Sequence, residues 1–345
     1  MKKRFYKKLY DKLNKNEEVY LITIVSGEFK GKSIIGQKLF KSGNNIVMEE
    51  ELYKEFWNEV LKNVQFNKST YNIKVKSSIE VFVEYIVGKP NLVICGGGHI
   101  ALPLCNLGKM LDFNVTVIDD REEFANYHRF NTADNVICES FSEVFKERRF
   151  SKNTYFVIVT RGHKDDRRCL EAVIDKDYAY VGMIGSKAKV ATVVTYLLEK
   201  GYSRELIDKV HTPIGLKIGG QTPEEIAISI TAEIIKEKNN TEKSEISTDI
   251  LEYIINSKNK AVLTTIVEKI GSSPRGIGTK MVVFEDKSFK GTIGGGSVEN
   301  EAYKNALKLI EGKESSVEVY DLSNSDASKL GMVCGGKVKV VFEYI

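Results

Sequence analysis

The sequence predicts an α/β protein: a central parallel sheet flanked by two smaller, related α/β domains, the first a degenerate copy of the second. Three observations predict it. The apolar run Leu92-Val93-Ile94-Cys95 stops abruptly at Gly96-Gly97-Gly98-His99, and a helix-like pattern follows. Further apolar runs then alternate with polar segments of helix length, as in a parallel sheet with crossover helices. Finally, the two ends of the chain repeat. Leu21-Ile22-Thr23-Ile24-Val25 recurs as Leu263-Thr264-Thr265-Ile266-Val267 at a shift of 242, which also carries Gly36-Gln37-Lys38 onto Gly278-Thr279-Lys280. Val83-Glu84-Tyr85-Ile86 recurs as Phe342-Glu343-Tyr344-Ile345 at a shift of 259, so the first copy is shorter by about 17 residues in its middle.

Residues 1–88 read as the first domain. A helix is expected over residues 7–15, strands over 19–25, 33–40 and 79–86, and an amphipathic helix carrying Trp57 over 49–64. Residues 89–238 read as a Rossmann-like domain. Gly96, Gly98 and Ala101 fit G-x-G-x-x-A, a turn in which the backbone bends tightly after the strand and leaves its amides open to a diphosphate. The next expected strand, residues 114–119, ends in Asp119, 23 residues after Gly96, where a ribose-binding carboxylate is expected. Strands over 135–138, 155–160 and 178–184 complete the sheet. The last helix opens at Thr222-Pro223-Glu224-Glu225, with Thr222 as cap, Pro223 in first position and Glu225 closing a capping box. Residues 239–249 are a polar linker, and residues 250–345 are the second copy.

Bulk composition excludes several classes. The 345 residues carry 51 Lys and Arg against 47 Asp and Glu, a net charge of +4, with no basic stretch of the kind that binds nucleic acid. No apolar run approaches a membrane span, and the charged N-terminal helix is no signal peptide, so a cytoplasmic protein is expected. The five cysteines are scattered, without a C-x-x-C pair, which argues against a disulfide framework and a structural zinc site. Cys95 and Cys138 sit in apolar runs and read as buried hydrophobes.

Candidate site residues fall into two groups. Gly96, Gly97, Gly98, His99, Asp119, Arg121, Gly185 and Ser186, with Arg161, His163 and Asp166, lie just past strand ends, at the edge where open α/β sheets bind ligands. His99 could face a diphosphate or cap its helix, and His163 with Asp166 could touch ligand or form a loop ion pair. Lys187 and Lys189 could bind an anion or lie on a solvated face. The second group is in the last domain: Gly271-Ser272-Ser273-Pro274-Arg275-Gly276, Gly294-Gly295-Gly296-Ser297-Val298-Glu299 and Gly331-Met332-Val333-Cys334-Gly335-Gly336. Glycine turns in such number suit a backbone that approaches a bulky ligand. Arg275 offers a forked donor to phosphate or carboxylate, or is a surface arginine. Glu299 could accept from a heterocycle or cap a helix, and Cys334 could be a thiolate ligand, a sulfur carrier or an inert thiol. The first copy has Phe29-Lys30-Gly31-Lys32-Ser33-Ile34 at the first of these positions and nothing like the other two: it keeps the fold and has lost a site.

Together with Asp119-Asp120-Arg121, Gly182-Met183-Ile184-Gly185-Ser186, His211-Thr212-Pro213-Ile214-Gly215-Leu216 and Thr222-Pro223-Glu224-Glu225-Ile226-Ala227, these motifs resemble the XdhC/CoxI family, accessory proteins of molybdenum hydroxylases such as xanthine dehydrogenase. The resemblance covers the chain from about Leu92 onward. In the family the Ser-Pro-Arg domain usually precedes the Rossmann-like domain; here it follows. The resemblance implies a chaperone for the molybdenum cofactor (molybdopterin) that shields it while a cysteine desulfurase adds its terminal sulfur and then passes it to the apo-hydroxylase. Gly96, Gly97, Gly98, His99, Asp119, Arg121, Gly185, Ser186, Arg275, Gly294, Gly295, Gly296, Glu299 and Cys334 would then be cofactor-binding, with no catalytic residue and no protein-held metal. Two related terminal domains could pair within one chain or exchange in a homodimer. The Rossmann turn and Asp119 alone would favour a different reading, an oxidoreductase using NAD(P).

Overall fold

The computed structural model describes residues 2–76, 79–240, 244, 246–271, 275–321 and 336–345. The chain divides into two compact units: Lys89–Thr241, and Met1–Gly88 together with Glu242–Ile345.

The first of these is the mixed α/β, Rossmann-like fold expected. Five parallel strands lie in the order Asn135–Cys138, Asn114–Asp119, Asn91–Cys95, Thr154–Ile158, Tyr180–Met183. The strand earliest in sequence is therefore central, and the chain reverses direction across the sheet on either side of it. The crevice beyond the carboxyl ends of Asn91–Cys95 and Thr154–Ile158 is the switch point where such sheets bind ligands. Both sheet faces are buried, which is why the strands read as unbroken apolar runs. One face packs against the helices Ala101–Met110 and Pro223–Asn239, the other against Phe141–Glu147, His163–Val173 and Lys187–Glu199. The capping box at Thr222 and Glu225 forms as read from the sequence. Cys95 is buried as expected, but Cys138 is exposed: it ends the edge strand, beyond the cover of any helix.

In the other unit the repeat extends to register. The first copy has an antiparallel sheet in the order Asn45–Met48, Lys38–Ser42, Val19–Ser26, Ile79–Ile86, Tyr71–Lys76; the second has Phe289–Gly291, Lys280–Phe284, Ala261–Gly271, Gly336–Tyr344, Ser316–Asp321. Leu21 faces Glu84 as Leu263 faces Glu343, and the same bulge recurs, between Ile24 and Ser26 and between Ile266 and Glu268. The strand expected over 33–40 is broken at Gly36, whose φ of +82° turns the chain, so only Lys38–Ser42 joins the sheet. The helix expected from residue 49 begins at Lys54, after a 3-10 turn at Glu51–Tyr53, and buries Trp57 against its sheet. The helix expected over 7–15 spans Lys2–Asn14.

The two copies share a core. Phe5, Tyr6 and Leu9 of the helix Lys2–Asn14 join Leu251 and Ile254 of the helix Thr248–Asn256 in one apolar cluster with strand residues from both sheets. Within the unit two buried ion pairs cross from copy to copy. Lys38 Nζ lies 2.5 Å from Glu343 Oε2, and Lys280 Nζ is paired with Glu84 Oε1. The shifts 242 and 259 that relate the copies turn one pair into the other, so these are the two halves of a pseudo-twofold exchange. All four side chains are essentially excluded from water. Tyr6 donates to Glu343 Oε2 at 2.6 Å and Ser244 to Glu84 Oε1 at 2.7 Å. Burial pulls the Lys280 ammonium below its ordinary pKa, against the pull of Glu84.

Removing one partner of such a pair leaves a buried charge. Lys280→Met is expected to destabilise this unit by about 3–5 kcal/mol in urea titrations, and Lys280→Met combined with Glu84→Leu to recover most of the loss. Beside the Lys38 pair, burial and then the Glu343 charge push the Glu49 carboxyl from its ordinary 4.5 up to about 7. Between those values the folded state holds a proton that the unfolded state has lost, so the Glu49 contribution is complete below 4.5 and is lost as pH rises through 7. Unfolding midpoints at about pH 5 and about pH 8 should differ less in Glu49→Gln than in the wild type.

Candidate functional site

A cavity of about 420 Å³ opens at the switch point of the parallel sheet. Its walls come from the ends of three neighbouring strands and the start of the last helix: Gly96, Gly98 and His99 after the first strand, Asp119, Arg121 and Phe124 after the second, Thr160 and Arg161 after the fourth, and Gln221 with Pro223.

Each glycine of the turn has its own reason. A Cβ on Gly96 would lie 2.5 Å from the Val159 carbonyl oxygen, and one on Gly97 would lie 2.2 Å from that of Phe124. Both are required by close packing of the protein on itself. A Cβ on Gly98 would meet nothing within 4 Å. Arg129 ties down the loop, donating from Nε to the Gly97 carbonyl at 3.1 Å and from Nη2 to that of Gly98 at 3.2 Å.

Asp119, read from the sequence as a ribose acceptor, is 3% exposed and has both carboxylate oxygens engaged within the protein. Oδ2 accepts from the Gly97 amide at 2.8 Å and from Arg121 Nη2 at 2.9 Å; Oδ1 accepts from the Arg121 amide at 3.1 Å and from Nε at 2.8 Å. Burial works against its charge, but Arg121 and these amides hold the carboxyl below its ordinary pKa. The Arg121 guanidinium stacks on the Phe124 ring, 3.7 Å from the centroid, with Arg129 5.5 Å from the same centroid. Arg161 is held by Asp120 at 3.2 Å.

The remaining candidates of this unit have other duties. Gly185 and Ser186 are not among the residues lining the cavity. Ser186 caps the helix Lys187–Glu199, accepting from the Lys189 amide. Asp166 is fully buried, paired with Lys189 and accepting from the Thr160 hydroxyl at 2.6 Å. The His211–Gly215 segment is a clamp. Glu233 on the last helix accepts from the Tyr180 hydroxyl at 2.6 Å and the Gly215 amide at 2.9 Å and lies 3.6 Å from His211 Nδ1. Although burial opposes its charge, these partners hold Glu233 down to about 2.

Arg275, Gly294, Gly295, Gly296 and Glu299 belong to the other unit. Arg275 is exposed. Gly294, Gly295 and Gly296 have φ of 132°, 72° and 67°, a left-handed run that opens the helix Gly296–Gly312. Glu299 takes up the amides this run presents: its Oε2 accepts from Ile293 at 3.0 Å and Gly295 at 3.2 Å, and from the Thr292 hydroxyl. Of the two roles open to Glu299, the structure displays the cap. Cys334 lies outside the described residues. Among the described residues, no group of three His, Cys, Asp or Glu is placed to hold a metal ion, and no helix is long and apolar enough to cross a membrane.

Phe124 and Arg129, which shape and brace the cavity, are not among the residues singled out by the sequence motifs. The segment Asp119-Asp120-Arg121-Glu122-Glu123-Phe124 offers a signal, an aromatic one helical turn after an arginine.

The fold is that of a Rossmann-type unit with a cavity at its glycine turn. Comparison with known proteins makes this specific. The XdhC Rossmann domain model matches residues 92–234, and the XdhC and CoxI family model matches residues 254–321. The chain belongs to the XdhC/CoxI family. It is 32% identical over 164 residues to the uncharacterised protein YqeB of Escherichia coli K12, a match covering 47% of this chain and 30% of YqeB. It is 26% identical over 208 residues to a Bacillus subtilis 168 protein described as a probable xanthine dehydrogenase subunit, covering 60% of this chain and 61% of that one. It thus spans under a third and about three fifths of the lengths of these relatives. A Bacillus halodurans crystal structure described as a xanthine dehydrogenase shares the fold, with a TM-score of 0.55 at 22% identity over 69% of this chain and 67% of that chain.

The Gly97 geometry gives a test of the turn. Gly97→Ala is expected to cost about 3 kcal/mol in unfolding free energy, because the Phe124 carbonyl it would strike is backbone.

Proposed function

We propose that this chain is an accessory protein of a molybdenum hydroxylase of the xanthine dehydrogenase kind. It takes the molybdopterin cofactor as cargo, shields it while a cysteine desulfurase supplies the terminal sulfur, and hands it to the apo-hydroxylase. The observation that carries this reading is the presence of both family domains on one chain, with a cavity at the switch point of the Rossmann sheet. The cargo carries phosphate, as a monophosphate or within a dinucleotide tail, and the cavity suits one. Among the described residues none accepts the amides of Gly98, His99 and Ile100, and the space over Gly98 is clear of protein atoms. Arg121 contributes positive charge at the wall of the cavity. Arg275 and the turn Gly294–Gly296 are further contacts that the family resemblance assigns to the cofactor. The bound molybdenum centre would supply the redox chemistry of the recipient enzyme; the chain's task is binding, shielding and release.

An oxidoreductase working on NAD(P) would need a proton donor placed beside the nicotinamide. His99, which lines the cavity, and His163 are the candidates for that role.

Protein purified anaerobically from a molybdenum-replete host should carry molybdenum and pterin near one per chain, the pterin read as its fluorescent oxidation product. Arg275→Ala should lower both by about tenfold or more, the loss of one charge-assisted contact. Absence of pterin from the wild-type protein, with tightly held NAD(P) in its place, would sink the proposal in favour of the oxidoreductase.

A further inference from the structure

We infer that the polar end of the Rossmann cavity is a seat for a terminal phosphate monoester, with Arg121 as its specificity-determining residue and Asp119 as the residue that positions Arg121. The inference concerns the same cavity as the proposed function, but stands on the geometry of the wall and on no assumption about the cargo.

In a Rossmann unit the acid that ends the second strand ordinarily accepts from the ribose diol of a dinucleotide. Here that acid has no oxygen left to offer. Its four hydrogen bonds come from the Gly97 amide and from the backbone and side chain of Arg121. The arrangement reverses the chemistry of the wall. A guanidinium has five N–H donors. Asp119 takes one at Nε and one at Nη2, which leaves three, on Nη1 and Nη2. Phe124 supports the flat face of the group. A guanidinium fixed along one edge by a carboxylate and across one face by a ring keeps a fork of donors in a set orientation, the geometry that phosphate oxygens accept bidentately. Arg121 is paired with Asp119 and Arg161 with Asp120, so what the wall offers is the open donors of Arg121 rather than a net charge. A monoester, with three terminal oxygens, can meet that fork and a second set of donors at once; a diester has two terminal oxygens.

Gly98 supplies an independent observation. It carries no left-handed φ, and a Cβ there would have no protein atom within 4 Å, yet the position is glycine and lines the cavity. What a side chain would displace is the space before the amides of Gly98, His99 and Ile100, for which no described residue is an acceptor. The seat therefore has donors on two walls: Arg121 on one, the turn amides on the other. The ligand class that follows is a molecule ending in a phosphate monoester. Two sources carry that group, the monophosphate form of a pterin cofactor and the 2′-phosphate of an NADP-type dinucleotide. A cofactor joined to an unphosphorylated nucleotide through a diphosphate does not.

The test uses calorimetric titration of the full chain with NADP⁺ and NAD⁺, which differ only in the monoester, together with thermal unfolding in inorganic phosphate. If the source is a dinucleotide, NADP⁺ binds about tenfold or more tightly than NAD⁺ and Arg121→Gln removes the difference. If the source is a pterin monophosphate, both dinucleotides bind weakly, and inorganic phosphate raises the unfolding temperature of the wild type but not of Arg121→Gln. In either case Gly98→Ala unfolds at the wild-type temperature and loses the binding or the phosphate effect. Tight binding of NAD⁺ equal to that of NADP⁺, a preference that survives in Arg121→Gln, or phosphate protection equal in both proteins would overturn the seat. Failure of the cofactor proposal looks different: no pterin in the purified wild type, with the NADP⁺ preference intact.

Discussion

The exchange of buried charges between the two terminal copies is the constraint on which one unit of this protein depends. Lys38 finds its carboxylate on Glu343 and Lys280 finds its own on Glu84. Neither copy holds a complete pair. In the shared core each lysine and each glutamate is buried against a partner from the other copy, and without that partner each buried ion would cost several kcal/mol. The first copy, whose sequence lacks the glycine turns of the second, supplies Lys38, Glu84 and an apolar face to this shared core. The repeated bulge and the matching register of Leu21 with Glu84 and Leu263 with Glu343 belong to the same constraint, since a slip of one residue would turn either glutamate to the opposite face of its sheet.

A comparable economy organises the Rossmann unit. Asp119 serves the glycine turn and Arg121 at once, so the loop after the first strand and the loop after the second are fixed by a single carboxylate. Arg129 holds the same turn from its carbonyl side. The His211–Gly215 motif, prominent in the sequence, fastens the last helix to the edge strand through Glu233. It presents its partners to one another, and its histidine is a neighbour of Tyr180, with the rings 4.6 Å apart.

Much of this is legible in the sequence because it is local. The turn at Gly96, the acid at Asp119, the capping box at Thr222 and the apolar parallel strands announce themselves within a few residues. The repeat is legible because like residues recur at fixed shifts. What escapes depends on distant partners. Lys38 and Glu343 carry charges that normally mark a surface, and only the folded neighbour reveals them as buried. Phe124 and Arg129 act on a turn that precedes them by about thirty residues. The strands Asn45–Met48 and Ser316–Asp321 lie at sheet edges, half exposed, so they lack the strong apolar pattern of central strands. Cys138 departs from expectation for the converse reason: an apolar run need not be covered at its final residue.

The chain order of the charge exchange carries a consequence for synthesis. A ribosome delivers residues from the N-terminus onward, and segments fold as units once they emerge. Lys38 is made early, while Glu343 follows it by 305 residues. The whole Rossmann segment, Lys89–Thr241, emerges in that interval and has every strand it needs to close its own sheet. The first copy must wait with an unneutralised lysine and an uncovered apolar face until its counterpart is released. During translation it thus depends on protection until the second copy emerges, and it becomes native only then although it precedes the Rossmann segment in the chain.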